Sequence, residues 1–140
     1  ERHNYTGHIG IGYIKGYGLK SGAVATSISH DSHNIIVVGT NDEDMAAAVN
    51  HIAENGGGIT VFDGGKCIGD VKLGIAGLMS DAPLIDVNRN LEDAKVRAFE
   101  LGVSKLIDPF MTLSFMSLPV IPKLRLTTRG VFDVESQSYV

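Results

Sequence analysis

A single cysteine, Cys67, is all the thiol chemistry in the sequence. That excludes an internal disulfide and a Cys-based zinc site, and it fits a reducing, cytoplasmic setting. The residue itself reads as an inert, small core side chain. A surplus of positive charge is also missing. Twelve basic residues stand against 16 acidic ones, for a net charge of −4, and the basic ones are scattered. The chain therefore has no electrostatic footprint for nucleic acid or for an anionic membrane surface. No apolar run approaches the roughly 20 residues of a membrane span. The polar opening Glu1-Arg2-His3-Asn4 shows no signal peptide. H-E-x-x-H, H-x-H and P-loop patterns are absent, and Gly16-Tyr17-Gly18 is not completed to a dinucleotide-binding glycine motif. The first residue is glutamate rather than methionine, which predicts a piece of a longer protein whose chemistry lies upstream.

With 44% hydrophobic residues in 140, the chain has enough apolar side chains for one well-packed domain. His8 to Ile14 alternates as a strand does, with its glycines on one face. Ala23 to Ile28 and the β-branched run Ile35 to Val38 read as two further strands. Thr40-Asn41-Asp42-Glu43 has the form of a capping box, and Met45, Ala48, Val49 and Ile52 then mark one face of a helix closed at Asn55-Gly56. His51 on that helix has no partner at helical spacing and reads as structural. Ile59 to Phe62, a turn at Asp63-Gly64-Gly65-Lys66, and Cys67 to Leu73 make a hairpin. A long helix is predicted from Leu84 to Leu101, with Ser80 or Asp81 as its N-cap and Pro83 in its first turn. Phe110 to Ile121 is an apolar run whose methionines read as core filler. Lys123 to Leu126 and Val131 to Val134 are strands around a turn at Thr127 to Gly130. The fold class is α/β, with α+β as its variant: about six strands and two main helices in a layered sandwich, not itself a TIM barrel.

Between two of these strands lies the densest polar stretch of the chain, Ser29-His30-Asp31-Ser32-His33-Asn34. His30, Asp31 and His33 are metal-ligand types. Residues three apart on a straight strand point to opposite faces, so joint ligation requires a turn, which Asp-Ser and Asn permit. His30 beside Asp31 could equally be a general base held by its carboxylate. A hydrogen-bonded turn with no chemistry remains the alternative. Serines near His30 lack a G-x-S-x-G elbow, so no hydrolytic centre is complete. Gly57, within Gly56-Gly57-Gly58, is either a plain connection or a close backbone approach to a ligand.

Several stretches together resemble the C-terminal domain of bacterial adenine deaminase, of the amidohydrolase superfamily. They are Glu1-Arg2-His3, Gly16 to Ala23, Ser29 to Gly39, Ile75 to Asp81, Pro109 to Phe115 and Leu118 to Pro122, in order along nearly the whole chain. Gly74 departs from the pattern, which favours proline there. The resemblance implies an accessory domain, residues 1–140, of a longer hydrolase of purine salvage that converts adenine to hypoxanthine and ammonia. It implies a divalent metal, Mn or Fe with Zn as a further option, bound mainly in an upstream (β/α)8 barrel absent from these residues. The fragment alone is then expected to be inactive. His30, Asp31, Ser32, His33 and Asn34 become candidate contributors to the purine pocket, with Ser80, Asp81 and Gly57 secondary. His30, Asp31 and His33 are the weak candidates for metal. Expected partners are adenine, the barrel and, compatibly, further copies of the chain. Two other classes stay open: a stand-alone purine-binding module, and an independent metal hydrolase using His30-Asp31-Ser32-His33.

Overall fold

Side chains of alternating strands and of two amphipathic helices sort onto opposite faces of one four-stranded sheet. The computed structural model describes residues 1–4 and 6–140. The elements in chain order are β1 (Ala23–Thr26), β2 (Ile36–Gly39), α1 (Asp42–Glu54), β3 (Gly58–Asp63), β4 (Lys66–Lys72), α2 (Leu84–Glu100), α3 (Pro109–Met116), β5 (Leu124–Thr127), β6 (Gly130–Asp133) and β7 (Ser138–Tyr139). The main sheet has the order β2-β1-β3-β4, and β5-β6-β7 form a second, three-stranded sheet; all pairings are antiparallel. This is the expected mixed sandwich, of the α+β kind.

Val24, Ile59, Val61 and Val71 face α2 and α3, where Ala94, Ala98, Phe110 and Leu113 complete one core. Ala23, Ala25 and Phe62 face α1 and meet Ala48 and Ile52. Adjacent residues such as Val61 and Phe62 thus serve opposite layers, as the period of two requires. At the β3–β4 turn, Gly64 and Gly65 have φ of 57° and 76°, the paired left-handed conformations of a tight hairpin.

Several expectations are corrected. His8 to Ile14 forms no strand. Its glycines instead lie against the β5–β6 hairpin: a Cβ on Gly10 would stand 1.7 Å from the Thr127 carbonyl oxygen, while Ile9, Ile11 and Tyr13 point outward and are exposed. Asn41, not Thr40, caps α1, because Thr40 is bonded through both its amide and its hydroxyl to the Gly22 carbonyl. Neither Ser80 nor Asp81 caps α2. The N-cap position is Pro83, and the Ser80 hydroxyl accepts from the Ala82 amide in a local turn. Leu84 is exposed rather than packed. The apolar run after Asp108 begins as a helix, α3, with Pro109 in its first turn and the Asp108 carboxylate accepting from the amides of Phe110 and Met111. Met111 is not core filler; it lies on the solvent side of α3, away from Phe110 and Leu113. Cys67 is not a core residue either, since β4 is the sheet edge and leaves its thiol exposed. Among the described residues no helix is long and apolar enough to cross a membrane.

Candidate functional site

The polar stretch is the loop that joins β1 to β2, and three parts of the chain hold it. Within the loop, the His33 amide donates to the Ser29 carbonyl at 2.5 Å, and His33 takes φ 49°, a left-handed conformation that few side chains other than Asn, Asp and His accept. The chain therefore turns, and the His30 and His33 rings meet edge to face with centroids 5.5 Å apart. From one side α3 supports the loop. The Ser114 carbonyl accepts from the His30 amide at 2.9 Å, Ser117 Oγ donates to the His30 carbonyl at 3.0 Å, and the Ser29 and Ser117 hydroxyls share a 2.6 Å hydrogen bond. The Phe115 ring lies 5.0 Å from that of His30. From the other side come Arg2 and His3. Arg2 Nε donates to the His33 carbonyl at 2.5 Å, and His3 Nε2 is bonded to the Ser32 carbonyl at 2.8 Å.

Arg2 also joins this loop to the Ile75–Met79 segment, because its Nη2 donates to the Ala76 carbonyl at 2.8 Å. Ser27, buried at the end of β1, makes a second joint: its hydroxyl donates to the Gly77 carbonyl at 2.6 Å and accepts from the Gly58 amide at 2.9 Å. Gly57 lies under the same segment with φ 139°, and a Cβ there would stand 2.2 Å from Gly77 Cα. Its close approach is thus to protein backbone. Arg2, Ser27 and Ser117 are positioning residues that the sequence reading did not single out. Arg2 stood within one of the family-like stretches, whereas nothing local marks Ser27 or Ser117.

A cleft of about 560 Å³ opens beside the loop. Asp31, Ser32 and Asn34 line it, facing His8, Ile9 and Gly10 on one wall and Leu126 to Thr128 on another. His30 and His33 are not among its lining residues, nor are Ser80, Asp81 and Gly57. Asp31 and Ser32 are exposed, and Asn34 is half-buried with its Oδ1 accepting from the Arg2 amide at 3.3 Å. Burial, His30 and the Arg2 guanidinium together outweigh Asp31 and hold the His33 imidazole below its ordinary pKa of 6.5. Nearby, burial works against ionisation of Glu1, but the amides of Asn4, His3 and Thr6 donate to its carboxylate and bring its pKa down to about 2.

Metal does not fit this loop well. Among the described residues, His30, Asp31 and His33 do not form a set of three whose ligand atoms converge. The Arg2 guanidinium beside His33 adds positive charge where a cation would sit. What the loop offers instead is a carboxylate, a hydroxyl and an amide on the rim of a cleft. Such groups can bind and orient a planar, polar heterocycle.

The family model described as "Adenine deaminase C-terminal domain" matches residues 1–138. The chain is 53% identical over 140 residues to adenine deaminase 2 of Carboxydothermus hydrogenoformans, covering all of this chain and 25% of that protein. It is 51% identical over 140 residues to adenine deaminase of Bacillus subtilis, covering all of this chain and 24% of that protein. The corresponding figures for the Bacillus licheniformis adenine deaminase are 50% and 24%, again with all of this chain covered. The chain spans about a quarter of the length of the curated relatives it matches. A full-length family match and half-identity to several such proteins lead to one conclusion: the chain belongs to the adenine deaminase C-terminal domain family.

Proposed function

We propose that residues 1–140 are the accessory C-terminal domain of a longer, metal-dependent adenine deaminase of purine salvage. The observation that carries this reading is the half-identity over the whole chain to proteins named adenine deaminase, of which it matches about a quarter. Water adds at C6 of adenine, ammonia leaves, and hypoxanthine results. The metal, Mn or Fe with Zn as the further option, supplies an activated water when bound. Its ligands lie mainly in the upstream barrel. The reaction takes place in the cytoplasm, and the isolated fragment is inactive.

In this reading the Ser29–Asn34 loop meets the mouth of the barrel and completes the purine pocket. The Asp31 carboxylate accepts from a purine N–H, the Asn34 amide donates to a ring nitrogen, and Ser32 does either. His30 and His33 do not line the cleft; they shape the turn that presents these three groups. Arg2, His3, Ser114 and Ser117 act by positioning the loop.

The test is Asp31→Ala and Asn34→Ala in the full-length enzyme. The expected result is a loss of about tenfold or more in kcat/KM for adenine, which is ~1.4 kcal/mol of transition-state stabilisation, at unchanged metal content. Unchanged kcat/KM with normal metal content sinks the pocket role. The network of hydrogen bonds around the loop favours one second reading, in which the loop only pins a domain or subunit interface. There the same substitutions lower Tm and leave the catalysis of folded enzyme alone.

A further inference from the structure

At the far edge of the main sheet stands a second set of chemically active side chains: His51 in the last turn of α1, and Cys67 and Asp70 on β4. The register of β3 and β4 shifts at Val61/Phe62, so that Cys67 pairs with Phe62, Asp70 pairs with Thr60, and Gly69 pairs with Val61. On a regular strand, residues three apart face opposite sides. The irregularity adds one residue and turns Cys67 and Asp70 to the same side, the one that carries α1. His51 reaches that side from the helix. One ligand atom from each of the three residues then lies within 4.8 Å of the other two.

We propose that His51, Cys67 and Asp70 form a zinc site, with water as the fourth ligand. His51 Nε2 lies 3.2 Å from Asp70 Oδ1 and 3.9 Å from Cys67 Sγ. A tetrahedral Zn2+ with N and O ligands at ~2.0 Å and S at ~2.3 Å has edges of about 3.3 Å between N and O and about 3.5 Å between N and S. The two gaps to His51 match those edges to within about 0.4 Å, and the Cys67 and Asp70 ligand atoms lie within 4.8 Å of each other. Asp70 Oδ1 is buried and takes no hydrogen bond; although close to His51 Nε2, it lies outside hydrogen-bond geometry. A buried carboxylate oxygen without a donor is costly, and a cation at this point would satisfy it.

The rest of the surroundings suits a ligand role. Asn55 Nδ2 lies 3.1 Å from His51 Nε2 and donates to it in the tautomer that keeps a lone pair there, the form a metal takes. Zinc displaces that amide. The Phe62 ring packs edge-on against the imidazole at 5.5 Å and fixes its plane. Thr60 Oγ1 lies 3.4 Å from the Cys67 sulfur and can donate to it as a thiolate. Binding releases the thiol proton to solvent, so affinity rises with pH. The exposed sulfur gives the ion its way in. One nitrogen, one sulfur and one oxygen ligand favour zinc over magnesium or calcium. The single cysteine excludes only sites built from several cysteines; a mixed set needs one. The proposal stands apart from the deaminase reading and uses none of its residues.

The chain, stripped of metal by chelation and checked for its fold by circular dichroism, is titrated with Zn2+ and separately with Co2+. The expected result is one Zn2+ per chain and a thiolate-to-cobalt charge-transfer band. Cys67→Ser abolishes the band, and Cys67→Ser, His51→Gln and Asp70→Asn each weaken Zn2+ binding by about tenfold or more. A His30→Ala/His33→Ala variant binds as the parent does. In the longer protein, Cys67→Ser lowers the zinc content after Zn2+ loading by one ion per chain and leaves all other metal in place. No saturable binding below about 100 μM overturns the site. So does a cobalt complex without the thiolate band, unchanged affinity in Cys67→Ser, or loss of binding in the His30/His33 variant.

Discussion

Replacing Asp44 by alanine tests whether one buried carboxylate ties the first helix to the β3–β4 turn. Asp44 lies in the first turn of α1 and is only 2% exposed. Its Oδ1 accepts from the Gly65 amide at 2.7 Å, and its Oδ2 accepts from the Gly64 amide at 3.2 Å and from Asn41 Nδ2 at 2.9 Å. The Asn41 amide and the two glycine amides hold its carboxyl below the ordinary value of 3.8, against the cost of burial. A hydrogen bond to a charged group contributes about 1.5 kcal/mol at the low end, so three amount to ~4.5 kcal/mol. Gly64 and Gly65 are exposed, and in the variant their amides return to water. The net loss is then about 2–3 kcal/mol. At this chain length that lowers Tm by about 6–9 °C. Asp44→Asn keeps one acceptor oxygen and costs about half as much.

The pH dependence gives a second readout. A carboxyl with a lowered folded pKa favours the folded state when ionised, so its contribution is present above 3.8 and is lost as pH falls through the folded pKa. Urea denaturation followed by far-ultraviolet circular dichroism measures the gap between parent and alanine variant at several pH values. A gap below about 0.5 kcal/mol at neutral pH would refute the reasoning, because it is the size of an ordinary surface substitution. A gap that stays constant through acidification would refute it equally.

Further outcomes follow from other contacts. Tyr17→Phe removes the buried hydroxyl that donates to the Pro109 carbonyl at 3.0 Å, and urea denaturation should show a loss of about 1 kcal/mol. Gly69→Val drives a branched side chain toward α2, where even a Cβ would stand 2.9 Å from Ala94 Cα; the expected cost is about 2–3 kcal/mol, read from the same assay. His33 has a folded pKa below 6.5, so the unfolded chain takes up a proton there that the folded one refuses. Stability should therefore fall as pH drops through 6.5, and less so in His33→Asn, which tolerates the left-handed backbone. Ile9→Ser with Ile11→Ser replaces exposed side chains of the N-terminal segment and should change stability by less than about 0.5 kcal/mol.

Where a signal was local, the sequence carried it. The β-branched run before Gly39, the Gly64-Gly65 turn and the spacing of Ala48 and Ile52 each specify their element from a few neighbouring residues, and each is found. α3 was missed because its residues are apolar nearly all round, so no period of 3.6 stands out in Pro109 to Met116. The segment His8 to Ile14 alternates as a strand does, but its glycines serve a close approach to the β5–β6 hairpin rather than a ladder. The polar loop was visible from the density of its side chains. Its supports were not, because Arg2, Ser114 and Ser117 reach it only through the tertiary fold. His51, Cys67 and Asp70 come together through a shift of strand register, which neither residue spacing nor composition records.

The supports of the loop also set the order in which it can form. Ser29 and Ser117 are 88 residues apart in sequence, and Arg2 and Ala76 are 74 apart. Contacts that close such long spans incur their entropy cost early and gain late, so local elements such as the β3–β4 hairpin form first. The loop is then among the last parts to become rigid and among the first to loosen. Amide exchange at His30, whose N–H is bonded to the Ser114 carbonyl, should be faster than at Val61 in the central sheet. Arg2→Ala or Ser117→Ala should speed exchange in the loop while the central sheet stays protected. The loop is thus held by residues far apart along the chain, Arg2 before it and Ser114 and Ser117 well after it.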